Sequence, residues 1–156
     1  VNIFFLDENP EIAAQYQCDK HVVKMILESA QIMCAVHHLT DHYHPSLYRL
    51  THRNHPCVLW IKESKAHYQW LFDHYKALCS EYTYRYNKKH KTEMLTPIIS
   101  EIPVELPDKG FSWSLRVTDN ELVDVILSYR QYYVNKSKVM SMTWRNREIP
   151  HFMELV

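Results

Sequence analysis

The sequence predicts an all-α fold: a compact multi-helix domain with an extended N-terminal segment. Three observations carry that expectation. Gly110 is the only glycine, and sheets with tight hairpins ordinarily use glycine at their turns. Apolar residues recur at helical spacing over long stretches, above all between Asp19 and Leu39. Proline, Asn and Asp stand at the junctions of those stretches, where helices start and stop. The chain has 156 residues, 46% hydrophobic and 23% charged. That is the size and composition of one globular domain with a real core, and residues 1–156 are read as a single helical domain.

Asn2 to Leu6 is apolar without periodicity and reads as an extended segment entering the core. Asn9 followed by Pro10 has the form of a cap and a first helical residue, so a helix is expected from Pro10 to about Gln17. Asp19 reads as the N-cap of a long helix ending near Leu39. At about 100° per residue, Gln17, Lys20, Lys24, Glu28, Gln31 and His38 fall in one stripe about 80° wide, with His21 beside it. Almost everything else around that helix is apolar, so it should be surrounded by protein except for a narrow polar seam. Thr40 to Asn54 is a loop rich in His, Tyr and Arg. Pro56 opens the next helix, because the residue before a proline is steered away from α. A helix or helix pair then runs to about Tyr86, any break falling near Ser64. A short helix is expected from Thr92 to Ser100, interrupted at Pro97. Ile102 to Ser114, with its prolines and the glycine, reads as a loop. Thr118-Asp119-Asn120-Glu121 has the form of a capping box that starts a helix reaching about Lys138. The tail from Met142 to Val156 is expected to fold back over the body.

Several function classes are excluded. Without a Gly-rich loop there is no cradle for nucleotide phosphates, so P-loop and Rossmann readings fail. The four cysteines form no CxxC pair and fall largely in apolar stretches, as reduced buried thiols do. Asp7 and Glu8 interrupt the apolar start, so no signal peptide is expected. No apolar run reaches the roughly 18 residues of a membrane span, so a cytoplasmic location with no membrane partner is expected. The formal net charge is +0, which argues against a general nucleic-acid binder. Its distribution is uneven. His42–Lys62, Tyr82–Thr92 and Val125–Arg147 contain bases and no acid, while Glu93–Asp124 is acidic on balance. Either the three basic segments gather on one side or they scatter over the surface.

Three constellations have chemistry to offer. The first is the stripe on the second helix. It is either a solvated edge with i,i+4 ion pairs worth about 0.2–0.5 kcal/mol each, or a cleft lining. In a cleft, Lys20 and Lys24 hold an anion, Glu28 acts as general acid or base and Gln31 adds a contact. The second is the run from Arg49 to Pro56. Arg49, His52, Arg53, Asn54 and His55 are either the side chains of a helix-capping turn or groups that touch substrate. His52 and His55 could make half of a zinc set, but no third ligand has matching spacing. No metal and no cofactor is therefore expected. The third spans Tyr129 to Arg147. Arg130, Lys136, Lys138, Arg145 and Arg147 interleave with aromatics, which suits phosphate contacts and stacked bases. It equally suits an amphipathic helix with tyrosines in the core.

The run Lys20-His21-Val22-Val23-Lys24-Met25-Ile26-Leu27-Glu28-Ser29-Ala30-Gln31, followed by Asn54-His55-Pro56 and Trp60, resembles the pyrimidine-dimer DNA glycosylase family of bacterial and phage genomes. The resemblance is defined over about residues 1–90. It implies an all-α fold acting on damaged DNA. The chemistry it implies is imine formation: a free N-terminal amine attacks the sugar carbon C1′, the base leaves, and β-elimination cuts the strand. On this chain Val1 would supply the amine, and Lys20 and Lys24 the phosphate grip. Aligned on the basic pair, His21 stands where the phage enzyme carries its glutamate, which leaves Glu28 as the carboxylate. An α-amine with a pKa of about 7.7–8.0 is partly unprotonated at neutral pH, unlike lysine. The expected function is a glycosylase and abasic-site lyase with DNA as partner. Two alternatives stand beside it: a DNA-binding module without catalysis, and an enzyme acting on a small anionic metabolite in a closed pocket.

Overall fold

The computed structural model describes residues 2–113 and 124–155. Among them, all regular structure is helical. α1 spans Pro10–Tyr16, α2 Asp19–Leu39, α3 Pro56–Glu63, α4 Lys65–Tyr86, α5 Thr96–Ile99 and α6 Val125–Ser137, with single 3-10 turns at Lys91–Leu95 and His151–Leu155. The all-α expectation holds.

Local chemistry accounts for most boundaries. The Asn9 side chain accepts from the backbone N–H of Glu11 and Ile12, and Pro10 occupies the first turn of α1. Ser64 breaks α3 from α4: its backbone is extended, at φ −159, and its side chain accepts from Ala66 N–H. Asn87 ends α4 in the left-handed region, at φ 54. Pro97 does not interrupt a helix. It sits in the first turn of α5, where a missing N–H costs nothing. The Thr118–Glu121 capping box lies outside the described residues. The described helix starts at Val125, with the Asp124 carboxylate accepting from Leu127 N–H at 3.1 Å.

One boundary differs in cause from its expectation. Cys18, not Asp19, is the N-cap of α2, and its side chain makes no capping bond. The Asp19 carboxylate instead accepts from Thr143 Oγ1 at 2.7 Å and from Arg145 N–H at 2.9 Å. It also pairs with Arg85 at 3.1 Å. These partners are far away in the chain, so the local pattern could not reveal them.

α4 is the central post: α1 and α2 pack most heavily on it, and α3 packs against both α2 and α4. The apolar N-terminal segment threads into this body. Phe5 is fully buried. Four rings surround it, Trp60, Trp70, Trp113 and Tyr129, at centroid distances of 5.1, 5.0, 5.3 and 5.4 Å. Burying such a side chain contributes about 1.5–3 kcal/mol.

Arg85 lies inside the body with 1% of its surface exposed. Its Nε donates to Glu81 at 2.8 Å, one terminal nitrogen donates to the Gln17 carbonyl at 2.7 Å, and the other donates to the Gln15 carbonyl at 2.9 Å. The α1–α2 junction is thereby tied to α4. Removing one partner of a buried ion pair leaves its mates uncompensated, at a cost of about 3–5 kcal/mol. Arg85→Ala should lower unfolding stability by about that amount in urea titration; a loss under 1 kcal/mol would mean the network is dispensable.

Histidine burial gives a second expectation. His74 donates from Nδ1 to the Pro10 carbonyl and accepts at Nε2 from the Gln17 amide, both at 2.9 Å. Burial lowers its pKa from 6.5 to about 4. As pH falls, the unfolded chain therefore takes up this proton before the native chain does. The stability contribution is complete above about 6.5 and is lost as pH falls toward 4. His74→Gln should flatten the melting temperature between pH 6.5 and pH 4, measured by calorimetry.

Candidate functional site

The stripe on α2 divides into two classes. Its ends turn inward. Gln17 is fully buried beside His74, with Oε1 left without a partner, and His38 bonds the Tyr48 carbonyl at 2.9 Å. Its middle faces outward, with Lys20 and Lys24 exposed and Glu28 and Gln31 half-buried. The exposed arc is wider than a narrow seam, because Val23 and Leu27 also keep 38% and 37% of their surface. Two apolar side chains thus flank the lysines.

The His-Pro turn comes to this face through α3. His55 caps α3, its Nδ1 accepting from Cys57 N–H at 3.0 Å. Burial lowers the His55 pKa; nearby positive charge including His52 adds to this, and the Glu28 carboxylate opposes it. Glu28 is therefore within electrostatic reach of the turn. The Cys57 thiol feels the same carboxylate. Burial raises its pKa to about 12, and it contacts the Ile3 backbone. Asn2 is held next to it: its Oδ1 accepts from Ile3 N–H at 2.8 Å and from the Tyr129 hydroxyl at 3.4 Å. Asn2 and Ile3 thus adjoin Cys57, and the Glu28 carboxylate acts on both Cys57 and His55. Val1 lies outside the described residues.

The turn itself is open. Arg49, His52, Arg53 and Asn54 are exposed, and His52 holds a left-handed backbone at φ 51, a conformation uncommon for a residue with a side chain. Its ring lies 6.4 Å from that of His55. Among the described residues no group of three His, Cys, Asp or Glu side chains is placed to hold a metal ion.

His21 is 6% exposed, stacked on Phe4 at 4.5 Å. Its Nδ1 lies 2.7 Å from the Tyr133 hydroxyl, which also accepts from Cys18 N–H at 2.7 Å. Burial lowers its pKa to about 4, helped by Lys136 and Lys24. It is neutral at pH 7.

Two basic residues of the last third, Arg130 and Arg147, are paired inside the fold. Arg130 donates to the Leu6 carbonyl at 2.8 Å, pairs with Asp7 at 3.0 Å and lies over the Tyr16 and Phe152 rings. Arg147 pairs with Glu81 at 2.7 Å over Tyr84. Arg145 stacks on Tyr86 at 5.5 Å, and among the described residues its guanidinium has no carboxylate partner. Nothing local in the sequence distinguishes an arginine paired within the fold from one free for a ligand. Cavities of about 710 and 240 Å³ lie elsewhere, one against α1 and α4 around Glu81 and Tyr84, the other around His37, His42 and Pro103. Neither is lined by Lys20, Lys24, Glu28 or His55.

A family model for pyrimidine dimer DNA glycosylase matches residues 1–94. That span holds α1 to α4 and every group of the convergent site named above except Tyr129. No curated protein and no solved structure matches the chain. Among the described residues no helix is long and apolar enough to cross a membrane.

The packing around Cys57 makes it a buried thiol with almost no thiolate. Iodoacetamide at pH 8 should leave it unmodified in the native protein and alkylate it once urea unfolds the chain; rapid native labelling at Cys57, read by mass spectrometry, would contradict this packing.

Proposed function

The chain belongs to the pyrimidine dimer DNA glycosylase family, and from that premise we propose that it excises a damaged base through an α-amine and then cuts the strand at the abasic site. A DNA-repair glycosylase function comes with the family. The nucleophile, the lyase step and the site residues are the proposal. The observation that carries it is the meeting of Asn2 and Ile3 with Cys57, within the field of Glu28 and beside His55.

In this reading the amine of Val1, one residue from Asn2, attacks C1′ of the damaged nucleotide. The N–C1′ bond forms as the glycosidic bond breaks, and the base leaves with its bonding electrons and takes up a proton. The sugar ring opens to a protonated imine. Loss of a C2′ proton then expels the 3′ phosphate, and water releases the enzyme. Glu28 is the carboxylate placed to accept the proton of the attacking amine and to stabilise the cationic imine. His55, kept neutral by burial, is a second proton carrier at the same place. Lys20 and Lys24 grip phosphates along α2, and Arg49, His52, Arg53 and Asn54 meet the strand from the other edge. Gln31 offers an amide to a base. His21 and the arginines Arg130 and Arg147 act through the fold in this scheme, and Arg145 remains available for the backbone.

The metabolite alternative asks for a closed pocket at the stripe, whereas Lys20 and Lys24 in its middle are exposed. Four exposed cations, Lys20, Lys24, Arg49 and Arg53, are available to an extended polyanion. Each phosphate they neutralise steepens the salt dependence of binding by about 0.9.

Borohydride trapping on duplex DNA with a single abasic site tests the scheme. The full chain starting at Val1 should give a covalent adduct, an N-terminally acetylated chain none, and Glu28→Gln an adduct slower by about 10²–10⁴. Salt-dependent binding without any adduct would leave a DNA-binding module and remove the amine mechanism.

A further inference from the structure

We propose that His67 is a positioning residue for the amine: through Ser112 and Trp113 it latches the segment after Gly110 onto Phe5, and so holds the beginning of the chain beside Cys57. The inference rests on the amine reading for its effect on the reaction. The latch itself is built from groups that the proposed chemistry does not use.

The latch starts at a buried ring. His67, 2% exposed, stands in the first turn of α4 and stacks flat on Trp60 of α3, with centroids 4.4 Å apart and planes at 11°. Its Nδ1 lies 2.7 Å from the Trp60 carbonyl, which can only accept, so the ring proton sits on Nδ1. Nε2 is left as an acceptor. It takes the Ser112 N–H at 2.9 Å, with the Ser112 hydroxyl 3.3 Å away. The Ser112 carbonyl in turn accepts from the Trp60 indole Nε1–H at 2.8 Å. An exposed loop residue ordinarily gives its backbone groups to water. Here two buried side chains take both of them.

What the latch carries is its neighbours. Trp113 packs on Phe5 at 5.3 Å and on Trp70 at 5.8 Å. Phe111, on the other side of Ser112, meets Trp60 at 5.8 Å and His67 at 5.3 Å. The same loop is tied once more, nearer its start: Lys65 N–H donates to the Pro107 carbonyl at 2.8 Å, and Lys109 N–H to Ser64 Oγ at 3.3 Å. Between the two ties lies Gly110 at φ 77, a backbone state glycine adopts without steric cost. The single glycine of the chain is therefore the joint on which residues 111–113 swing when His67 releases Ser112. That swing removes Trp113 from the four rings around Phe5, three residues from Asn2. Ser112 and Trp113 lie past residue 94, where the family match ends, so the latch joins the family span to a part of the chain outside it.

Amide exchange by NMR and borohydride trapping, both on the full chain, test the latch. In the native chain the Ser112 N–H should exchange slowly, as should the Leu6 N–H, which donates to the Phe4 carbonyl at 2.9 Å. His67→Phe keeps a ring on Trp60 and removes the acceptor. Both amides should then exchange faster, and trapping at saturating abasic-site duplex should slow by up to about 10²-fold with the duplex Kd unchanged. His67→Gln, whose amide carries an acceptor and a donor, should restore both readouts. Trp113→Leu should speed Leu6 exchange and slow trapping, and adding His67→Phe to it should cost no more. The latch is overturned by fast Ser112 exchange in the native chain, by Leu6 exchange or trapping that His67→Phe leaves unmoved, by a Kd that weakens in step with trapping, or by losses that add in the double variant. If His67→Phe does not fold, Trp113→Leu decides on the same readouts. If the native chain gives no adduct, the amine reading falls, and the latch stands or falls on whether Leu6 exchange follows that of Ser112.

Discussion

The position of α2 depends on one buried cation. Arg85 draws together two main-chain carbonyls at the α1–α2 junction, the Glu81 carboxylate one helical turn away on its own helix, and Asp19 at the start of α2. Asp19 in turn fastens the tail through Thr143 and Arg145. The guanidinium is the only side-chain group with enough donors in a rigid fork to serve all of these acceptors. Its charge is costly to bury and is offset only because the acceptors include two carboxylates. The network fixes where α2 begins and, through helical geometry, which way Lys20, Lys24 and Glu28 point.

From that anchor the site follows by packing. Phe5 pins the N-terminal segment among Trp60, Trp70, Trp113 and Tyr129, so Asn2 and Ile3 have little freedom beside Cys57. Pro56 sets the direction of α3 and places the His55 cap within the field of Glu28. The chain has zero net charge, and among the described residues three of its acids pair with three buried or half-buried arginines. Glu81 and Asp19 neutralise Arg85, Glu81 also neutralises Arg147, and Asp7 holds Arg130. The lysines of α2 and the exposed arginines of the His-Pro turn are left to face solvent.

What was legible in the sequence was local. Asn9-Pro10, Ser64 and Pro56 each act through their own backbone, so helix boundaries could be read from single residues. The amphipathic stripe could be read because its spacing is a property of one helix. The wider exposed arc with Val23 and Leu27 could not, because exposure depends on which neighbours arrive. The same limit explains Asp19, which looked like a cap and is a hub for partners more than sixty residues away or at the far end of the chain. It also explains the aromatic-basic run after Tyr129, in which Arg130 and Arg147 look identical to ligand-binding arginines until their carboxylates are seen. His21 carried a signal of a different kind: the resemblance implies a carboxylate at its position, and its neutrality emerges only from burial against Phe4 and Tyr133.

In the proposed mechanism the α-amine preceding Asn2 supplies the attacking nitrogen. Peptide mapping of a borohydride-reduced protein–DNA adduct tests it most directly, by tandem mass spectrometry of the proteolysed complex. The sugar remnant is expected on the α-amine of the N-terminal peptide. A remnant on the side chain of Lys20, Lys24 or any other lysine would contradict it.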